Sequence, residues 1–300
     1  MAATLVTLCV VIWVRFISPL GATSPPVHTT DQPQDASGPV WKAATVERFN
    51  DLQARLNDSI LIPEAFDPRD VASGCRRMRG VTNQAGCGAC WAHVSAKVLA
   101  DRICWSTNGQ IDVELSAEQL IRCCHDCTSG INGCHGGLAF LGFDYMVRKG
   151  IVTGGAYDSN DAKTYYQVSA IVKHAASSLA EKHRRLQYEL MTKGPVAAGM
   201  QVYPDLLLYD KGTTVRLMGW GVEGDTKYWL LGNTWGADWG ENGKTDPTQN
   251  QKRGFFRYYR NSEEPQRDFV GRFLASDMWA PEPVDLRVSP PEPATDAPAF

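Results

Sequence analysis

At 300 residues and a formal net charge of −3, the chain is long enough to bury a substantial core and carries no excess of positive charge for nucleic acid. No stripe of lysine and arginine runs along it, so nucleic acid is left out as a partner. Eight of the cysteines lie between Cys75 and Cys134, a clustering that points to a disulfide framework in an oxidising compartment.

Leu5 to Val14 is an apolar run followed by Arg15 and then by Ser18, Pro19, Gly21 and Ala22. It is too short for a bilayer, which takes ~20 residues, and it is read as a signal peptide over residues 1–24, with a short anchor as the alternative. Residues 25–60 begin Pro-, Thr-, Asp- and Gln-rich, then carry a weak amphipathic pattern through Val46, Phe49, Leu52 and Leu56. Asn57-Asp58-Ser59 is a glycosylation sequon if the chain is secreted. Pro63, Asp67 and Pro68 mark an extended entry into a main domain over residues 61–275.

The first helix is predicted from near Ala89 to about Arg102, with Val94, Val98 and Ile103 at helical spacing and a turn at Gly86 and Gly88 before it. A second opens at Ser116, where Gln119 completes a capping box, and ends around Cys123. A third runs from Leu138 to Lys149 and closes on Gly150. The fourth repeats the box with Ser178 and Glu181 and stops at Gly194-Pro195. The period then changes to that of strands: Val196 to Val202, Val215 to Val222, Tyr228 to Asn233 and Phe255 to Tyr259. Helices first and strands second imply an α+β domain, a helical lobe packed on an antiparallel-sheet lobe with a ligand cleft between them. Residues 276–300 are Pro-rich and acidic and read as a disordered tail.

The densest chemistry lies in Gln84-Ala85-Gly86-Cys87-Gly88-Ala89-Cys90-Trp91. A turn on Gly86 and Gly88 delivers Cys90 to the first turn of a helix, where unpaired N–H groups and the helix dipole stabilise a thiolate. Gln84 can fold back so that its amide meets an oxyanion. Two other readings stand beside this one. Both cysteines could be bridge members, or Cys87-Gly88-Ala89-Cys90 could be a redox motif, although the βαβ context of the latter is lacking. Cys123, Cys124, Cys127, Cys134 and His135 could in principle hold zinc, but paired CxxC units are missing and no metal or cofactor is expected.

Gln84 to Trp91 resembles the active-site segment of the papain-like cysteine peptidases. Gly133-Cys134-His135-Gly136-Gly137 and Gly232-Asn233-Thr234-Trp235-Gly236 are similar to two further segments of that family, in the same order. Asp101-Arg102-Ile103-Cys104, the Cys123-Cys124 doublet, Gly194-Pro195-Val196 and Gly219-Trp220-Gly221 match its cathepsin B branch. The resemblance implies a papain-like two-lobe fold over roughly Pro63 to Arg260, with Cys90 as nucleophile and Gln84 as oxyanion donor. Asn233 would orient the catalytic base and Trp235 would shield it, while the Gly136-Gly137 backbone would pair with an extended peptide or protein substrate. It also implies the bridges Cys75 with Cys104, Cys87 with Cys134 and Cys124 with Cys127, leaving Cys123 unpaired. A cystatin-like inhibitor is an implied partner. A lysosomal or extracellular destination is implied too, with a short propeptide-like segment over residues 25–60 in which Trp41-Lys42-Ala43 resembles the Trp-x-Ala of cathepsin B propeptides.

The departures are as informative as the matches. A thiol peptidase needs an imidazole. Counting back from Asn233 to the family's histidine position gives Thr213, whose hydroxyl cannot act as the base, and the family's loop just before it is absent. His93 stands one turn after Cys90 on the same helix, and His135 stands near the groove without Asn233 as partner. His125, His174 and His183 lie in other segments and His28 precedes the domain. The occluding loop of the cathepsin B branch is reduced to a short link between Gly155 and Tyr166, which would make any activity endopeptidase-like. Gly243 to Arg253 is a polar insertion. Two functions follow: a thiol endopeptidase working through Cys90 if the dyad is complete, or an inactive homologue that binds peptides or a protein in the cleft.

Overall fold

The structure, a computed structural model, describes residues 61–128, 132–154, 165–166, 168–173, 178–200, 214–241, 254–270 and 278–283. Residues 1–60, the link at 155–164, Thr213 and the insertion at Gly243 to Arg253 lie outside them. A short helix α1 (Pro68–Val71) opens the described chain, with the Asp67 carboxylate accepting from the Arg69 backbone N–H at 2.9 Å.

Helix α2 spans Cys90–Ser106, running past the expected end at Arg102 because Ile103 to Ser106 holds no breaker. It stops at Thr107, after which Asn108 and Gly109 take positive φ angles of 56° and 82°. Helix α3 (Ala117–Cys123) has its Ser116 cap, with Oγ accepting from Gln119 N at 3.1 Å. The reciprocal half of the expected box does not form. Gln119 Oε1 instead accepts from Val152 N at 2.8 Å, tying α3 to the strand that follows α4. Helix α4 (Ala139–Lys149) ends on Gly150 at φ 72°, and α5 (Leu179–Lys193) starts on Ser178 Oγ and ends on Gly194 at φ 97°. Glu181 likewise leaves the box and pairs with Arg185. Trp91, Val98, Leu120, Phe143 and Met146 are fully buried where α2, α3 and α4 meet, each contributing ~1.5–3 kcal/mol of transfer free energy.

Strands β1 (Ile151–Val152) and β2 (Tyr165–Tyr166) form a small antiparallel pair. The large sheet has the order β3 (Val168–Lys173), β8 (Met278–Pro283), β4 (Val196–Gly199), β5 (Thr214–Glu223), β6 (Thr226–Gly232) and β7 (Phe255–Tyr259). Its neighbours are antiparallel throughout. The strand expected to run to Val202 ends at Gly199. In β5 the register shifts between Leu217 and Gly219, where Phe66 bridges to Trp220. A side chain on Gly219 would come within 2.1 Å of the Phe66 carbonyl oxygen, so glycine is what admits this crossing chain.

One expectation is corrected. The segment 276–300, read as a disordered tail, contributes β8, so the domain reaches at least Pro283 rather than ending at 275. The prolines that hid this strand sit where β8 pairs with β3 alone. Its contact with β4 is confined to Met278 and Trp279, so Pro281 and Pro283 remove no ladder hydrogen bond on that side.

The sheet packs a second core from Leu186, Leu190, Val215, Leu217, Trp229, Phe256 and Phe269. Charged groups join the two halves. Arg102 on α2 meets Glu189 on α5 at 2.6 Å, and Arg216 on β5 pairs with Asp101 on α2 while donating to the Gly80 carbonyl at 2.8 Å. Helices on one side and an antiparallel sheet on the other give the α+β architecture that the element order implied.

Candidate active site

Cys90 opens α2 and is almost wholly buried, and it stays outside the disulfides. Position matters here: the first helical residue sits among backbone N–H groups that lack intrahelical acceptors, an environment that favours a thiolate. The bridges are Cys75–Cys104, Cys87–Cys134 and Cys124–Cys127, the same pairs the resemblance implied, and Cys123 remains as an exposed thiol. Three of the five residues weighed for zinc are thereby consumed, leaving too few donors in that set for a tetrahedral site.

Gln84 lies on the loop before the helix and is held from two sides. Its Nε2 donates to the Cys87 carbonyl at 2.8 Å, and its Oε1 accepts from the Thr234 hydroxyl. Its backbone N–H donates to the Thr234 carbonyl at 2.8 Å. One of the two amide hydrogens is thus used to fix the amide plane, and the second is left to meet an oxyanion. Thr234 was not singled out in the sequence, yet it is what orients Gln84 across the two halves. Its only signal was its place between Asn233 and Trp235.

Asn233 is buried at the end of β6, with its N–H donating to the Gly254 carbonyl at 3.0 Å. Its Oδ1 accepts from the next backbone N–H, that of Thr234, at 2.8 Å. Trp235 is half-buried and stands edge-on to Trp239, ring centres 4.9 Å apart, and Trp239 is in turn edge-on to Phe256. Trp235 also bridges to Asn83, and Gly236 donates to Thr82, so the loop carrying Gln84 is zipped to the loop carrying Trp235.

The Gly136-Gly137 segment runs alongside the loop that precedes Cys90. Gly88 N–H donates to the Cys134 carbonyl at 2.8 Å and Gly136 N–H to the Gly88 carbonyl at 3.1 Å. A Cβ on Gly137 would lie 2.7 Å from both the Cys127 carbonyl oxygen and the Trp91 ring, so this wall of the groove admits only glycine. The structure therefore brings Gln84, Cys90, Asn233, Trp235 and the glycine pair to one junction between the halves.

The described histidines are placed elsewhere or held by other groups. His93 is largely buried on α2 with no hydrogen-bond partner for Nδ1, and burial lowers its pKa to about 4. His135 is exposed and its Nδ1 lies 2.8 Å from Asn132 Oδ1. His183 bonds Asp268 at 2.9 Å on the far side of the sheet, edge-on to Trp229. His125 sits on a short turn over His125–Cys127.

The family model described as papain family cysteine protease matches residues 62–261. The chain belongs to the papain family. Within this family its relatives include cathepsin B-like cysteine proteinase 6 of Caenorhabditis elegans, 31% identical over 255 residues, covering 68% of this chain and 64% of that protein. A cathepsin B-like cysteine proteinase of Schistosoma japonicum is 29% identical over 297 residues, covering 75% of this chain and 83% of the relative. Among solved structures, procathepsin B S9 from Trypanosoma congolense superposes with a TM-score of 0.57 at 26% identity, covering 76% of this chain and 80% of that one. Family membership rests on the whole domain. No described helix is long and apolar enough to cross a membrane.

Proposed function

We propose that this papain-family protein, as its sequence stands, is a catalytically silent homologue that holds an extended peptide or a partner protein in the cleft between its halves. The observation that carries the reading is that no histidine among the described residues hydrogen-bonds Asn233. Threonine occupies position 213, His135 and His183 are bonded to Asn132 and Asp268, His93 has its Nδ1 buried without a partner, and His125 stands on the turn over His125–Cys127. A threonine hydroxyl neither takes the thiol proton near neutral pH nor returns one to a leaving amine, and loss of the base costs several orders of magnitude in rate. What remains suits binding: a glycine-walled groove offering backbone groups for strand addition, braced by two disulfides. The oxidised cysteine pairs fit delivery through the secretory pathway, to the lysosome or outside the cell. A cystatin-like inhibitor is a candidate protein occupant.

A second reading is favoured by one observation, the amide of Gln84 fixed with an N–H to spare. An oxyanion donor so oriented serves an acyl transfer through Cys90, and a thiol endopeptidase would use it. The two readings part on turnover. The full chain and its Cys90→Ala variant should hydrolyse blocked dipeptidyl fluorogenic substrates at the same background rate, while a labelled hexapeptide binds both. Thiol-dependent turnover abolished by an epoxide inhibitor would overturn the silent reading in favour of the peptidase.

A further inference from the structure

The exposed His135 has its ring orientation and tautomer set by one neighbour. Asn132 Oδ1 accepts the Cys134 backbone N–H at 3.0 Å, which identifies that atom as the amide oxygen rather than the nitrogen. The same oxygen lies 2.8 Å from His135 Nδ1. An oxygen cannot donate, so Nδ1 carries the hydrogen and the neutral ring turns the lone pair of Nε2 outward. Asn132 is in turn placed by an Asx turn at Asn132-Gly133, and a Cβ on Gly133 would lie 2.6 Å from the Ile121 carbonyl oxygen, so the turn has little freedom to move.

The location of this acceptor is defined by the backbone. His135 bridges in parallel to Gly88, two residues before Cys90, and the next residue, Gly136, donates to the Gly88 carbonyl. Gly88 is two residues from Cys90 and an extended peptide advances ~3.3–3.6 Å per residue, so a peptide residue two or three away from the one facing Cys90 comes level with His135. Leu138, 43% exposed, stands on the same wall beyond the glycine pair. A fixed lone pair with an exposed apolar side chain nearby suits a long side chain whose stem is hydrocarbon and whose end donates a hydrogen bond.

We infer that His135 is a specificity-determining acceptor on the groove wall, selecting peptides with a lysine side chain two or three residues away from the position facing Cys90. The inference rests on the peptide-binding reading above. Alanine-based, fluorescein-labelled hexapeptides carrying a single lysine or norleucine at each of those two spacings, placed to the amino or to the carboxyl side, test it, measured by fluorescence polarisation on the full chain with Cys90→Ala. At one position lysine should bind about five-fold tighter than norleucine, the effect of one good hydrogen bond. In His135→Phe, which keeps an aromatic ring without the acceptor, the two peptides should become equal with norleucine binding unchanged. Asn132→Ala, which frees the ring to turn, should lower the lysine-to-norleucine ratio without moving norleucine affinity. Equal binding of the two peptides at every one of these positions, or a lysine preference that survives His135→Phe, overturns the inference and leaves the peptide-binding reading standing. Failure of every peptide to bind overturns that reading and this inference with it.

Discussion

Arg102 and Glu189 meet at 2.6 Å with neither side chain exposed, and Arg102 also donates to the Gly194 and Pro195 carbonyls at 3.4 and 3.3 Å. The pair fastens the helix that carries Cys90 to the helix that enters β4. Breaking a buried pair from one side strands the other charge, which costs about 3–5 kcal/mol, whereas replacing both partners by apolar groups is often neutral. Glu189→Ala should therefore lower the urea midpoint sharply, and Arg102→Met with Glu189→Leu should recover most of the loss. A Glu189→Ala protein as stable as the parent would show that the pair does not hold the halves together.

His93 makes the domain sensitive to acid. In the unfolded chain its imidazole takes a proton below about 6.5, but burial in the folded protein delays this to about 4. The unfolded state thus holds more protons between those values, so stability falls as pH drops through that window, by up to about 3 kcal/mol. His93→Phe should flatten this part of the stability profile and add ~1 kcal/mol at neutral pH by removing an unpartnered ring nitrogen. Parallel profiles for parent and variant between pH 6.5 and 4 would refute the assignment.

Lys97 acts in the alkaline range with the same sign. Burial lowers its pKa from 10.5 to about 8, although Asp101, at 2.5 Å, opposes the shift. The unfolded chain keeps this proton to higher pH than the folded one, so the lysine's contribution to stability increases as pH rises from about 8 to 10.5. Lys97→Met should lose that increase, read as the difference between the two proteins in chemical denaturation at pH 8 and pH 10.

The two thiols outside the disulfides among the described residues report on the site. Cys123 is exposed and its thiol pKa is raised, chiefly by partial burial of the sulfur environment and despite Arg122, while Cys90 is about 1% exposed. With iodoacetamide at pH 8, peptide mass spectrometry should find Cys123 labelled before Cys90. Faster labelling of Cys90 would show that the helix start activates its sulfur more than burial shields it.

Gly137→Ala should disturb both groove and core. Its Cβ would press on the Cys127 carbonyl and on Trp91, neither of which is the loose end of a side chain, and forced overpacking costs ~1–3 kcal/mol. A lowered melting temperature together with lost peptide binding is expected. Unchanged values for both would mean that the loop has more room than its geometry gives.

Much of this was legible in the residue order, for reasons that can be named. Ser116 and Ser178 start helices and Gly150 and Gly194 end them, because caps and left-handed glycines act locally and leave a local mark. Strands β5, β6 and β7 show in their apolar and aromatic runs. The second half of each capping box was illegible, since Gln119 was drawn off by Val152 and Glu181 by Arg185, and those partners are set by packing and not by spacing. Strand β8 was hidden by Pro281 and Pro283, whose tolerance depends on how far a neighbouring strand extends. In the candidate site, Cys90, Gln84 and Asn233 were singled out by motifs. The clamp of Thr234 on Gln84 and of Asn132 on His135 emerged only when distant loops were placed side by side.

Strand β8 lies between β3 and β4, although more than seventy residues of chain separate β4 from it. During synthesis, β3 through β7 leave the ribosome while the seat between β3 and β4 is still empty. Two rows of unpaired amides and carbonyls then face one another across a gap, and open strand edges of this kind recruit other chains. The nascent protein is therefore most at risk of sticking to its own copies just before its last strand arrives. A stop codon placed shortly before Met278 should yield aggregates and not a smaller soluble domain, even though it leaves every residue around Cys90 in place.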